Sequence, residues 1–178
     1  MDVYEVELDS AANVTAQLAL FRRVRNAKQL KEMVVAGELK CCMIKPSLIL
    51  DPFQVAVAAH KAVLNENDQR MTTRSVFTEV IYNLSVSKNI SQSLNKFGIS
   101  DDDENVLVVA IQRGDDGSIC DILPSVAGEL CSMEDLTSVR ELPSIKKVYN
   151  VRDEELSISS MLDSVVSRIA AKEFVSFK

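Results

Sequence analysis

The sequence is poor in the residues that announce a reaction. Its 178 residues include one histidine, His60, so any Ser-His-Asp or Cys-His arrangement would have to be built on it. His60 lies in the helical stretch VAAHKAV, where a structural or surface role is the simpler reading. No GxGxxG, GxxxxGKS/T or GxSxG string occurs, which excludes the phosphate-cradling loops and the nucleophile elbow those strings encode. Paired carboxylates such as Glu154 and Glu155 open a helix, where they complement its positive end rather than serve acid–base chemistry. No catalytic residue is assigned.

Glycine and proline are also scarce, 5 and 4 residues against 47% hydrophobic, which excludes a disordered or low-complexity chain. A chain of this length buries roughly 70% of its unfolded surface and needs no staples. The cysteines Cys41, Cys42, Cys120 and Cys131 show no C-x-x-C spacing, and neighbouring Cys41 and Cys42 cannot both turn inward on one strand. Reduced, mostly buried thiols are therefore expected, with no metal and no cofactor. Positive charge is in deficit: 20 Lys and Arg against 26 Asp and Glu give −6, which argues against DNA binding by the chain alone. A small local basic patch is still compatible with that balance. No apolar run approaches the roughly 20 residues of a membrane span. The acidic, alternating start MDVYEVELDS is neither a signal nor a transit peptide.

What is present is strong periodicity. Val3 to Leu8 alternates, and Val14 to Phe21 follows as a second strand, most simply a hairpin. Asn26 is placed to cap a helix that Gly37 ends. Cys41 to Leu50 is apolar and extended, interrupted by Pro46. Three helices then run from Asp51 to Gly98. Asp51 caps the first, Pro52 suits its first turn, and Gln54 adds a partial capping box. Phe53, Val55, Ala56, Val57, Ala58, Ala59, Ala62 and Val63 cover nearly its whole circumference, which predicts burial on most sides. The second carries Val76, Phe77, Val80, Ile81 and Leu84; the third carries Ile90, Leu94 and Phe97, closed by a left-handed Gly98.

The acidic SDDDEN turn lacks calcium-loop spacing and reads as a solvated loop. Val106 to Ile111, apolar throughout, predicts a central strand. Short helices are expected over Ile119–Ala127, Met133–Glu141 and Pro143–Lys147. A long last helix is expected from about Asp153 to Phe174. The order β-β-α-β-α-α-α-β-α-α-α predicts an α+β fold. It should be a small, mostly antiparallel sheet of about four strands packed with helices, in one domain over residues 1–178.

The loop between the first two of the three central helices gathers Lys61, Arg70 and Arg74 with Thr72, Thr73 and Ser75 beside helix amides. Lys88 and Lys96 extend it. It reads either as a phosphate-sized site or as an ordinary solvated loop.

The strings LILDPFQVAVAAHKAV and TTRSVFTEVIYNLSVSKNISQSLNKFGIS strongly resemble the TPRKB family, the small subunits of the KEOPS complex that bind its Bud-type kinase. Weaker similarity extends through the N-terminal strands, ELPSIKKVY and the last helix. Val86 and Ser87 stand where relatives often carry Pro and Asn, so the local turn should differ. The resemblance implies a non-catalytic subunit that binds and allosterically regulates the Bud-type kinase/ATPase. Through it the chain would support threonylcarbamoyladenosine modification of tRNAs reading ANN codons; with the absent targeting signals it implies a cytoplasmic and nuclear location, and telomere maintenance is a role that the family's name carries. The alternative it implies is a module holding the single-stranded CCA end of tRNA. Candidate kinase-facing positions are Val76, Val80, Ile81, Ile158, Leu162, Val165 and Ile169, which read equally as core. Candidate RNA-facing positions are Lys61, Arg70, Thr72, Arg74, Asn83, Ser85 and Lys96.

Overall fold

The computed structural model describes residues 2–176. In chain order it begins β1 (Tyr4–Asp9), β2 (Val14–Arg22), α1 (Ala27–Val35), β3 (Cys42–Ile44), α2 (Pro52–Asn67), α3 (Val76–Leu84) and α4 (Ile90–Phe97). It continues β4 (Val106–Arg113), β5 (Glu129–Cys131), α5 (Leu136–Val139), α6 (Leu142–Val148), α7 (Asp153–Leu156) and α8 (Met161–Ala170). The fold is α+β, and the sheet has five strands rather than four. The chain forms two compact units, Met1–Pro46 with Gly98–Val139, and Ser47–Phe97 with Arg140–Lys178.

The first unit is built on the sheet, ordered β1-β2-β4-β3 with β5 also on β2, every pair antiparallel. The hairpin of β1 and β2 forms as expected, and β4 lies between β2 and β3. β2 and β4 pair from Val14 with Arg113 to Phe21 with Val106. Side chains of Val106 to Ile111 are all buried, which explains why that strand is apolar rather than alternating. Its core joins Phe21, Leu30, Met43, Val108 and Ile119, each worth about 1.5–3 kcal/mol when fully buried. Cys41 and Cys42 are both buried, against expectation. The strand starts only at Cys42, so alternation does not govern Cys41.

Several local details differ from the sequence reading. Asn26 does not cap α1 with its side chain. It donates to Ser125 O (2.9 Å) and accepts from Ala127 N (3.0 Å), fastening a distant loop. Gly37 takes φ +77° at the end of α1, but Gly98 is not left-handed; it forms an antiparallel bridge to Ile44. The apolar run after Cys41 is a strand of only three residues followed by a 3-10 turn at Pro46–Leu48. Of the short helices expected after β4, the first is a pair of 3-10 turns at Ile119–Asp121 and Leu123–Ser125, the second is a 3-10 turn at Met133–Asp135 running into α5, and the third forms as α6; β5 lies between the first two.

The second unit is helical. Asp51 accepts Phe53 N at 2.8 Å and Pro52 opens α2, as its sequence dictates. Gln54 stands at N3, the capping-box position, but its side chain reaches past Asp51 to the amide one residue before the cap. Its Oε1 accepts from Leu50 N (2.8 Å) and its Nε2 donates to Leu48 O (3.2 Å) and Tyr149 Oη (2.8 Å). Tyr149, fully buried, donates in turn to Leu84 O and meets Phe97 edge-on at 5.9 Å. Ser75 and Thr78 form a full capping box on α3. The long last helix is broken. Ser157 Oγ bonds Glu154 O, Ser159 Oγ bonds Ser160 O, and Ser160 caps α8 by accepting Asp163 N (3.0 Å). Those serines satisfy locally the backbone that a continuous helix would have used. Arg168 bridges the break by donating to both carboxylate oxygens of Glu155, at 2.6 and 2.7 Å. Among the described residues, no helix is long and apolar enough to cross a membrane.

Candidate functional site

The helix α2 is two-sided. Val55, Ala58, Ala59, Ala62 and Val63 are buried, while Phe53 is 53% exposed and Leu64 46% exposed. Phe53, Val57, His60 and Leu64 fall at i, i+4, i+7 and i+11, one stripe of a helix. The near-complete apolar circumference thus divides into a face that fills the unit and a face left open. Phe174, just past α8, is 86% exposed.

Val57, His60, Leu64 and Phe174, though not Phe53, border a groove of about 780 Å³ whose lining also includes Lys61, Arg70, Thr72, Tyr82, Lys88, Lys172 and Glu173. Its floor is cationic. Lys61, with only 15% of its side chain exposed, donates to Ile169 O (2.6 Å) and pairs with Glu173 (2.8 Å). Ile169 O belongs to the last turn of α8, so Lys61 meets the negative end of that helix. Lys172, almost fully buried, donates to Tyr82 O near the end of α3 and lies 3.2 Å from the Tyr82 ring centroid. Burial, then the neighbouring Lys61, pulls the Lys172 ammonium from its ordinary 10.5 down to about 7. Burial pushes the Tyr82 phenol up, opposed by its hydrogen bond with Thr72.

The loop entering α3 is closed by Glu79, whose side chain is buried. Its carboxylate accepts from Thr72 N (3.1 Å), Thr73 N (2.8 Å), Thr73 Oγ1 (2.8 Å) and Asn65 Nδ2 (3.2 Å). The amides and hydroxyl that made this loop resemble a phosphate cradle are therefore occupied by an internal anion. Their hydrogen-bonding capacity is spent within the chain.

The structure brings Lys61, Arg70, Thr72 and Lys88 to one groove. Arg74 and Lys96 are exposed but do not line it. Asn83 and Ser85 are buried: Asn83 donates to Ala58 O (3.2 Å), and Ser85 Oγ accepts from Ser87 N (3.1 Å). Of the apolar candidates, Val76, Val80, Ile81, Val165 and Ile169 lie in the interior, where their side chains fill the helical unit. Leu162 is half-buried, and Ile158, in the break before α8, is 89% exposed. Sequence reasoning missed Tyr82, Lys172, Glu173 and Phe174. The α2 stripe was legible only as part of an all-round apolar pattern, and no signal marks Lys172 as a buried ammonium.

Among the described residues, no three His, Cys, Asp or Glu side chains group to hold a metal ion. Burial pushes the Cys41 thiol up to about 12 and raises Cys42 as well, so neither is a ready nucleophile.

A family model described as kinase binding protein CGI-121 matches residues 21–173. The zebrafish (Danio rerio) protein named EKC/KEOPS complex subunit TPRKB is 36% identical over 168 residues, covering 94% of this chain and 96% of that protein. Proteins named EKC/KEOPS complex subunit CGI121 from Kluyveromyces lactis and Aspergillus terreus are each 28% identical. They cover 75% of this chain, and 83% and 73% of their own lengths. The resemblance carried by the DPFQ and NLS stretches thus extends across both compact units, and the chain belongs to the CGI-121 family of kinase binding proteins.

Proposed function

We propose that the chain is a non-catalytic subunit of a KEOPS-type complex that docks on a Bud-type kinase and regulates it allosterically, supporting threonylcarbamoyladenosine modification of tRNA. One observation carries the reading. The stripe of Phe53, Val57 and Leu64 on α2, with Phe174 beside the groove, is an apolar surface rimmed by charge, the composition of a protein interface. The family description and the names of the relatives supply the partner.

Calorimetric titration of the chain into its own organism's Bud-type kinase tests it. The expected result is a one-to-one complex with Kd of about 1 μM or tighter, close to −8 kcal/mol. Val57→Glu should abolish the heat while leaving the thermal transition in place. A wild-type chain that gives no heat at several temperatures removes the reading.

A second reading, a grip on the CCA end of tRNA, draws on Lys61, Arg70 and Lys88 sharing the groove. It predicts binding of CCA-ended tRNA without the kinase, falling as salt rises. The occupied amides of Thr72 and Thr73 count against the loop as its phosphate cradle.

A further inference from the structure

The groove's charges do not balance locally. Its lining carries Lys61, Arg70, Lys88 and Lys172 against Asp68 and Glu173. Asp68 is taken by Arg70 at 2.5 Å. Glu79 is consumed by the threonine loop. That leaves Glu173 as the carboxylate facing Lys61, with 46% of its side chain exposed against 15% for Lys61. The lysine is thus fixed on the groove floor, anchored to Ile169 O, whereas its acid hangs from the short segment past α8. Phe174, the next residue, is 86% exposed at the groove's border.

We propose that Glu173 is an internal stand-in for an acidic side chain of the docked partner. The partner's carboxylate displaces Glu173 from Lys61 while an adjoining apolar side chain packs against Val57, Leu64 and Phe174. This inference rests on the kinase-docking reading and adds the chemistry the partner must present. A buried cation beside apolar walls favours a carboxylate next to an apolar anchor. Lys61 is already largely withdrawn from water, so the cost of leaving it unpaired decides the matter: a purely apolar or basic partner would leave Lys61 without a counterion once Glu173 is shielded from it. Exchanging one carboxylate for another keeps Lys61 paired throughout, so the floor need not rearrange. Glu173 acts as a competitive brake on docking.

The test is calorimetry of the full-length chain with the Bud-type kinase, comparing wild type, Glu173→Gln, Lys61→Gln and the double variant. Glu173→Gln removes the competitor and should tighten binding by about three- to tenfold, the scale of one partly exposed charge pair. Lys61→Gln should weaken binding, and Glu173→Gln should give no gain on that background. Thermal transitions of all four proteins separate loss of fold from loss of docking; if Lys61→Gln unfolds, Lys61→Met repeats the arm. If the kinase binds but Glu173→Gln leaves Kd unchanged or weaker, the stand-in role is overturned and the docking reading stands. If Glu173→Gln tightens CCA-ended tRNA and not the kinase, the groove takes a phosphate and the carboxylate assignment is wrong. If the wild-type chain binds no kinase, both readings fall together.

Discussion

The sheet unit and the helical unit solve the same problem by different means. Of the eight buried polar or charged side chains among the described residues, Gln17 is in the sheet unit. The other seven, Gln54, Glu79, Asn83, Ser85, Ser93, Ser164 and Lys172, are in the helical unit. A strand ladder satisfies its own backbone, so the interior between β2 and β4 can be almost wholly apolar. Helix ends cannot do this: the last carbonyls and first amides of each helix need partners from elsewhere. Gln54 serves Leu50 N and Leu48 O, Tyr149 serves Leu84 O, Lys172 serves Tyr82 O, and Lys61 serves Ile169 O. The groove's cationic floor is therefore also structural. Lys61 and Lys172 close two helices and, by doing so, set the charge a partner meets.

The comparison can be broken first where it is purely apolar. Leu107→Ala in β4 should cost about 3 kcal/mol through lost burial and a residual cavity, with little dependence on pH, measured by urea unfolding. If the cost changes strongly between pH 6 and 9, the sheet unit is not the simple hydrophobic half it is taken to be. Next comes Glu79→Gln, which keeps the volume but presents an amide to the donors Thr72 N and Thr73 N. A loss of about 2 kcal/mol is expected, together with faster hydrogen exchange at those two amides. Unchanged exchange would mean that the loop is held by something other than the carboxylate.

Lys172→Met sharpens the contrast through pH. In the wild type the folded ammonium titrates near 7 and the unfolded one near 10.5, so folding releases a proton between those values. Stability from this group therefore rises as pH increases from about 7 to 10.5. The substitution should flatten that rise and leave the chain as stable or more stable at pH 6. A wild-type stability curve that falls over the same window would contradict the burial of the charge. The smallest effect belongs to Glu155→Gln. The Arg168 guanidinium holds the Glu155 carboxyl at about 2 instead of 4.5, so its contribution is present above 4.5 and fades as pH falls towards 2. The variant should lose a little stability at neutral pH, and its acid limb between those values should be shallower than the wild type's, in thermal melts at low salt.

Much of this molecule was legible in advance, and unevenly so. The hairpin, the central β4, the cap on α2 and the amphipathic α3 each follow from residues within one element. The break before α8 was missed because Ile158, Met161, Leu162 and Val165 keep helical spacing straight through SISS, and periodicity outweighed the chemistry of its three serines. Gly98 was read as a cap because a glycine after an apolar helix usually is one; here it enters a β-bridge to Ile44. The candidate site was half visible. Lys61 and Arg70 were singled out by charge and Thr72 by its hydroxyl, while Lys172 and Glu173 lie more than 90 residues away and join them only through the packing of α8 on α2.

The sequence alone determined the α+β class, the strand that must be central, the ends of α2 and the family, because caps, periods and motifs are local. Tertiary structure decided which face of α2 stays open, that Glu79 rather than a ligand fills the threonine loop, and that Lys172 joins Lys61 in one groove. Those outcomes depend on which helix end meets which side chain across long separations, and local pattern carries no information about that meeting.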